Sequence, residues 1–408
     1  MEKYTFVELR KKLIASKKKV VLFGAGDLGE LSLISLKKIG IPVDFFCDNK
    51  KAKQGKKFLD IEIISPENLK KIDIDANIFI TNNYITSVNS QLKKEGFKNI
   101  YNCFELVKNT DFSDVKNIQN IHPGKIERRI EYYRNLCFHD DYASSGALNI
   151  RSLDVQITER CSLKCTNCAN LMQYYKTPQN SDLNQMFEAL ERFMQCVNSV
   201  AEFRVLGGDP FMNKDLHLVV DELKKYDQVK RIAVYTNAKI VPKAANLECL
   251  KHKKVIVDIT NYGEFSTKHD EIVNVLEENK IAYSTILTTT WQDSGSILPL
   301  QKRTTEENKK IFMGCCNRDV ISLLHGKLYR CPFSANADNL KAIPEDKSDF
   351  IDLCNKNISI DQLKEQIKDL AYNKDFLTAC SYCNGRDYTV PNIKAAEQSK
   401  TPRPYKTF

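Results

Sequence analysis

The sequence has little of several features that define whole classes of protein. Among its 408 residues are one tryptophan and six histidines, and no run of 18 apolar residues is uninterrupted, so we predict no membrane span. The first twenty residues lack the apolar core and the small-residue cleavage site of a secretory leader. We therefore expect a cytoplasmic protein. Apolar residues make up 42% and charged residues 28%, as in folded globular chains rather than disordered ones.

The charge balance does not indicate nucleic acid. Basic residues number 61 and acidic residues 52, which gives a net charge of +9. The excess is spread along the chain, whereas surfaces that bind nucleic acid favour clustered arginines with aromatic residues between them. We predict no nucleic-acid partner.

Cysteine, in contrast, is abundant, with 14 residues. Thiols stay reduced in the cytoplasm, so cysteines that cluster there indicate metal binding or catalysis rather than disulfides. Their spacing therefore carries most of the functional information.

The pattern of strands and helices predicts an α/β protein of several domains. Short apolar runs alternate with helical patterns up to about Val107, which predicts a parallel sheet covered by helices. The alternation resumes near Asn149 and predicts part of a TIM-type barrel. The predicted divisions are a Rossmann-like domain (1–110), a helical linker (111–148), a partial barrel (149–310), a cysteine-rich extension (311–390) and a surface tail with three prolines (391–408).

A first group of cysteines follows the first predicted barrel strand, LDVQIT. Cys161, Cys165 and Cys168 lie in one loop at the carboxyl end of that strand. Three thiolates are one fewer than an ordinary iron–sulfur cluster uses, so one iron would stay open to bind and polarise a substrate. A zinc site completed by a distant residue is the alternative.

The loop resembles that of the radical S-adenosylmethionine (radical SAM) superfamily. The resemblance implies a partial (β/α)6 barrel, a 4Fe-4S cluster on the three cysteines, and S-adenosylmethionine (SAM) bound to its open iron. It further implies reductive cleavage of SAM to a 5′-deoxyadenosyl radical, which removes hydrogen from a substrate. An electron donor such as flavodoxin or ferredoxin is the expected partner.

Polar residues at the ends of later strands match the places where this superfamily binds SAM. Gly207-Gly208-Asp209 resembles the glycine-glycine-acid motif that receives the methionine ammonium, with Asp in place of the commoner Glu. Glycines allow the backbone to approach a ligand closely. Further candidates for contact with the cofactor are Thr236, Asn237 and Asn261.

A second group of cysteines, Cys316, Cys331, Cys380 and Cys383, lies in the extension. Four thiolates either fill a tetrahedral zinc site or complete a 4Fe-4S cluster. The order resembles the short, twitch-type extension that holds one auxiliary 4Fe-4S cluster in many radical SAM enzymes. Cys315 is an equally placed alternative to Cys316. Arg386, near the last pair, is interpreted as local structure or as a hydrogen-bond donor to the cluster.

The N-terminal region contains a glycine-rich turn between a strand and a helix. Gly24, Gly26 and Gly29 form the GxGxxG pattern, and Asp48 ends the next strand. The pattern is typical of nucleotide-binding folds but weak when it stands alone. Residues 18–107 also resemble small Rossmann-like modules of surface-polysaccharide enzymes, which implies a nucleotide or nucleotide-sugar ligand.

These features together lead to one main hypothesis. We expect a radical SAM enzyme of the oxidoreductase type that removes hydrogen from a sugar or nucleotide-linked sugar in surface-glycan biosynthesis. Trp291 and Asp293 follow a predicted barrel strand and are candidates to face this small-molecule substrate. The alternatives are a radical SAM enzyme that modifies a peptide or protein, and a zinc-stabilised binding protein without redox chemistry.

Overall fold

The computed structural model describes residues 4–82, 84–110, 147–387 and 389–408. The described residues divide between two compact units, one over residues 4–110 and one over residues 147–408. The predicted linker helix falls within 111–148 and lies, except for the last two residues, outside the described residues. In the part of the chain that is described, no helix is long and apolar enough to cross a membrane.

The first unit is built on a six-stranded sheet with the order β3-β4-β2-β1-β5-β6. All neighbours are parallel except β3 and β4, and the five parallel strands follow the order of doubly wound sheets. The elements are α1 (Phe6–Ser16), β1 (Val20–Phe23), α2 (Asp27–Lys38), β2 (Phe45–Cys47), β3 (Lys57–Phe58), β4 (Ile61–Ile64), α3 (Pro66–Ile72), β5 (Asn77–Ile80), α4 (Ile85–Lys94), β6 (Ile100–Asn102) and α5 (Phe104–Lys108).

The central strands of this sheet are apolar because both faces are covered. All four residues of β1 and all four of β5 are buried. A strand covered on both faces has no solvent side, so its sequence shows a continuous apolar run instead of alternation.

The second unit contains the barrel strands. Five of them, β7 to β11, are parallel and adjacent in chain order. Within 149–310 the described structure thus has five barrel strands, where six were predicted. These strands and their helices are β7 (Asn149–Thr158), α6 (Leu183–Cys196), β8 (Ser199–Gly207), α7 (Leu216–Lys224), β9 (Ile232–Thr236), α8 (Ala245–Glu248), β10 (Val255–Asn261), α9 (His269–Glu278) and β11 (Tyr283–Leu287).

The cysteine-rich extension continues the same sheet. Strand β13 pairs in parallel with β7 on the side opposite β8, and β14 and β15 follow in antiparallel order. The mixed α/β architecture with parallel sheets is therefore confirmed. The remaining elements are β12 (Thr290–Gln292), α10 (Thr305–Gly314), β13 (Ile321–Leu324), β14 (Lys327–Tyr329), α11 (Pro332–Asn339), β15 (Phe350–Asp352), α12 (Ile360–Lys368) and β16 (Asn392–Lys394).

The last eighteen residues do not form a simple surface tail, and the structure corrects that prediction. Strand β16 pairs with β12, so that Ile393 lies opposite Trp291. Ala395 and Ala396 are buried, and Ala396 packs with Leu163 and Cys165. The prolines and basic residues suggested exposure, but the two small alanines between them allow close packing on the cysteine loop.

Candidate cluster and cofactor site

The loop that follows β7 brings its three cysteines to one cavity. Cys161, Cys165 and Cys168 all line a cavity of about 260 Å³ at the carboxyl ends of β7 to β10. The carboxyl ends of parallel strands meet at one edge of a sheet, which is where barrel folds place ligands.

The donor set fits an iron–sulfur cluster. Burial raises the pKa of the Cys165 thiol to about 12, and burial also raises the pKa of Cys161 and Cys168. Thiols of this kind lose their protons only to a strong Lewis acid, so binding of a metal cluster would release protons. Among the described residues, no three His, Cys, Asp or Glu side chains form a group that could hold a single metal ion. A 4Fe-4S cluster is larger than an ion and needs its thiolates farther apart.

The backbone of the glycine pair at the end of β8 packs closely against the backbone at the end of β7. A Cβ on Gly207 would lie 2.0 Å from the carbonyl oxygen of Thr158, and one on Gly208 would lie 2.0 Å from that of Arg160. Gly207 also has a φ of +150°, which side-chain-bearing residues rarely adopt. Both glycines line the cavity, and the absence of a Cβ lets their backbone pack directly against the end of β7 and the loop that follows it.

Asp209 lies elsewhere than expected. Its side chain is fully buried and is not among the residues that line the cavity. Its carboxylate accepts hydrogen bonds from the Thr236 hydroxyl at 2.9 Å and from the backbone N–H groups of Asn237 at 3.0 Å and Phe211 at 3.0 Å. Asp209 thus holds the end of β9 in place. Its side chain is one methylene shorter than that of Glu, which keeps the carboxyl group inside the fold.

Of the other predicted cofactor contacts, Thr236 and Asn237 line the cavity and Asn261 does not. Asn237 donates to the sulfur of Cys161 at 3.5 Å and accepts a hydrogen bond from Ser162 at 3.1 Å. The Asn261 side chain instead accepts from the backbone N–H of Gly263 at 2.8 Å and so closes a turn. Successive strand residues face opposite sides, and its neighbours Thr260 and Tyr262 line the cavity in its place.

Of the two residues predicted to face the substrate, one lines the cavity and the other does not. Trp291 lines the cavity, and its ring meets that of Tyr262 edge to face with 5.4 Å between centroids. Asp293 is not among the lining residues, and its hydrogen bonds to Pro391 and Asn384 use only its backbone.

A charged pair inside the barrel was not predicted from the sequence. Asp154 of β7 and Arg204 of β8 lie opposite each other, and Arg204 Nε lies 2.5 Å from the Asp154 carboxylate. Both line the cavity, together with Tyr235 and Arg386. Burial raises the pKa of Asp154, and Arg204 opposes that rise. The available signal was a charged residue at the second position of each strand segment, LDVQIT and FRVLGG.

Arg386 lies close to cysteines of both groups. Its backbone carbonyl accepts from the N–H of Cys316 at 3.3 Å, and its side chain donates to Ser294 at 2.9 Å. It lines the cavity from the side of the extension. The residue therefore links the two groups of cysteines.

The second group of cysteines meets around the end of β14. Burial raises the pKa of the Cys315 and Cys380 thiols, and the nearby thiols of Cys331 and Cys383 raise it further. These four thiols therefore lie near one another. Burial raises the pKa of the Cys331 thiol to about 12. Cys316, Cys331 and Cys383 all lie near Cys315, and the Cys316 thiol also donates to the side chain of Asn317 at 3.9 Å, so the choice between Cys315 and Cys316 stays open.

The first and last glycines of the N-terminal turn, Gly24 and Gly29, pack closely against each other. A Cβ on Gly29 would lie 2.4 Å from the Gly24 carbonyl, whereas one on Gly26 would meet nothing within 4 Å. The Asp48 carboxylate accepts from the backbone N–H of Ala25 at 3.2 Å and forms an ion pair with Lys53 at 3.0 Å. Asp48 thus ties down the turn, and a role for Gly24, Gly26, Gly29 and Asp48 in nucleotide binding stays a prediction.

Comparison with known families identifies the cysteine loop. The model of the Radical SAM superfamily matches residues 155–261, and the model described as C2185-like, N-terminal, matches residues 16–100. The prediction of a radical SAM domain is thereby confirmed. The twitch-type extension and the relation of the first unit to polysaccharide enzymes stay predictions.

Curated relatives match only part of the chain. GTP 3',8-cyclase from Clostridium acetobutylicum is 26% identical over 145 residues, which cover 32% of this chain and 45% of that enzyme. The probable GTP 3',8-cyclase from Methanococcus maripaludis is 31% identical over 101 residues, 24% of this chain and 31% of the relative. The chain therefore spans less than half the length of these relatives.

Solved structures show a distant likeness. One is BtrN in complex with AdoMet and 2-DOIA, at 15% identity and a TM-score of 0.35, covering 58% of this chain and 93% of that one. Another is anSMEcpe with bound AdoMet, at 15% identity and a TM-score of 0.29, covering 35% of this chain and 44% of that one.

Proposed function

Because residues 155–261 form a radical SAM domain, we propose that this protein is a radical SAM enzyme that oxidises a sugar or nucleotide-linked sugar in surface-glycan biosynthesis. One observation carries the proposal: the three loop cysteines and the ends of β8 to β10 line the same cavity. When bound, the 4Fe-4S cluster and SAM supply a 5′-deoxyadenosyl radical that removes a hydrogen atom from the substrate.

The chain's own residues hold and orient these groups. Cys161, Cys165 and Cys168 hold the cluster. The backbone at Gly207 and Gly208, which lines the cavity, accommodates the methionine part of SAM, and Thr236 and Asn237 contact the rest of the cofactor. Asp209 is a positioning residue, because its carboxylate fixes Thr236 and the Asn237 backbone.

Aromatic residues close one side of the cavity. Trp291 and Tyr262 form an edge-to-face pair beside the three cysteines. Apolar surface there excludes water, which protects a reactive intermediate from side reactions.

We assign Cys331, Cys380 and Cys383, together with either Cys316 or its neighbour Cys315, to one auxiliary 4Fe-4S cluster. Four protein ligands leave no open iron for a substrate. The arrangement therefore suits the removal of a second electron, as an oxidation requires. Flavodoxin or ferredoxin is the proposed donor of the first electron.

The charge of the cavity supports a polar substrate. Asp154, Arg204 and Arg386 bring charge to it. Hydroxyl and phosphate groups find donors and acceptors in such a site. The relatives named GTP 3',8-cyclase favour a nucleotide as the second candidate substrate.

Anaerobic reconstitution tests the proposal. We expect about eight irons per chain, from two 4Fe-4S clusters, and formation of 5′-deoxyadenosine that a sugar, a sugar nucleotide or GTP stimulates. Cys168→Ser should abolish 5′-deoxyadenosine formation. Cys354→Ser is the matched control, because Cys354 lies outside both groups and its thiol donates to Gln185. A colourless protein that contains zinc would overturn the proposal, and stimulation by peptides alone would overturn the substrate class.

A further inference from the structure

The C-terminal segment, residues 392–403, covers the outer side of the first cysteine loop. The backbone N–H of Thr166 donates to Glu397 O at 2.7 Å, and that of Ser399 donates to Lys164 O at 2.6 Å. The Arg403 guanidinium donates to Thr166 O at 2.9 Å. These bonds join residues more than 230 positions apart, so the segment is a built part of the loop's surroundings.

Gln398 places an amide against a cysteine sulfur within this segment. Its Nε2 lies 3.5 Å from Cys165 Sγ and 2.6 Å from the carbonyl oxygen of Ala396. Its Oε1 accepts from the backbone N–H of Lys164 at 2.8 Å. The two backbone partners fix the orientation of the amide, because Lys164 N–H needs an acceptor and Ala396 O needs a donor. The N–H group must therefore face the sulfur.

We propose that Gln398 is a positioning residue that raises the reduction potential of the cluster on Cys161, Cys165 and Cys168. This inference rests on the proposed function, since it needs the cluster. A donor at a cysteine sulfur stabilises the reduced cluster, which carries more negative charge, more than it stabilises the oxidised one. Cleavage of SAM starts from the reduced cluster, so Gln398 makes that state easier to reach.

Two variants separate the hydrogen bond from the volume of the side chain. Gln398→Leu keeps a similar volume and removes the donor. Gln398→Glu keeps an oxygen for Lys164 N–H and turns the group that faces the sulfur into an anionic acceptor. Thr401→Val is the matched control, because it is a neutral change in the same segment and Thr401 contacts Ser399 through its backbone carbonyl.

The measurement is a redox titration that is monitored by electron paramagnetic resonance. The signal that changes on addition of SAM identifies the cluster with the open iron. At a fixed solution potential we expect the ratio of reduced to oxidised cluster to fall about fivefold in Gln398→Leu, as loss of one hydrogen bond predicts. The ratio should fall further in Gln398→Glu and stay at the wild-type value in Thr401→Val.

The outcomes distinguish this inference from the proposed function. If the wild type forms a SAM-responsive cluster and the Gln398 variants match its potential, or change it in another order, the inference is overturned and the proposed function stands. If the wild type forms no SAM-responsive cluster, the proposed function itself fails.

Discussion

Asp154 and Arg204 show how a single pair of residues combines structure and recognition. The two side chains face each other on neighbouring strands, and Asp154 is 1% exposed. Removing charges from water is costly, and close pairing repays that cost only while both partners are present. Both residues line the cavity, so the pair can meet polar groups of a substrate.

We predict strong energetic coupling between these two residues. Arg204→Met should lower the free energy of unfolding by roughly 3–5 kcal/mol, because it leaves a buried carboxylate unpaired. The double variant Asp154→Asn, Arg204→Met should lose much less than the sum of the single variants. Urea unfolding of the four proteins measures the coupling, and additive losses would contradict it.

At the scale of elements, Ala396 decides how the C-terminal segment meets the cysteine loop. It is fully buried and has a φ of +56°. A left-handed backbone costs a residue with a side chain roughly 1–2 kcal/mol, and β-branched residues tolerate it least. The packing on Leu163 and Cys165 must offset that strain.

The strain predicts opposite behaviour of two substitutions. Ala396→Gly should stay within about 1 kcal/mol of the wild type, since relief of strain offsets the lost methyl contact. Ala396→Val should destabilise the protein by at least about 2 kcal/mol and release the segment. Thermal unfolding and hydrogen exchange at residues 161–168 provide the measurement. Equal effects of both variants would show that the left-handed backbone plays no part.

The sequence predicts those features whose residues lie close together along the chain, and it does not predict contacts between distant segments. The cysteine loop and the glycine pair are local motifs at strand ends, and the structure brings Cys161, Cys165, Cys168, Gly207 and Gly208 to one cavity. The alternation of strand residues decides between Thr260 and Asn261, and a one-residue error moves a side chain to the opposite face. The pairing of β16 with β12 joins segments about 100 residues apart, and no local pattern encodes it.

At the scale of the whole molecule, the chain holds two units with separate sheets. The first contains the glycine turn and the second contains both cysteine groups. Each sheet has its own buried strands, so each unit has the means to fold by its own core.

We predict that damage to the first unit leaves iron binding by the second intact. Gly29→Val should disrupt the turn, because even a Cβ would lie 2.4 Å from Gly24 O and 2.8 Å from the Phe46 ring. Gly26→Ala is the control, since nothing lies within 4 Å of its Cβ. Thermal unfolding monitored by circular dichroism should show an additional transition at lower temperature only in Gly29→Val. The iron content should be the same in all proteins. A parallel loss of iron in Gly29→Val would contradict independent folding.

The parallel pairing of β13 with β7 fixes a distance. Leu153 and Val155 lie opposite Ile321 and Leu323, while β7 leads to the first cysteine loop and the β13–β14 hairpin leads to Cys331. The two sulfur groups are therefore mounted on adjacent, hydrogen-bonded strands of one sheet. Electron tunnelling falls steeply with separation, so the two clusters that we propose would be held at a fixed tunnelling distance by the pairing of these strands.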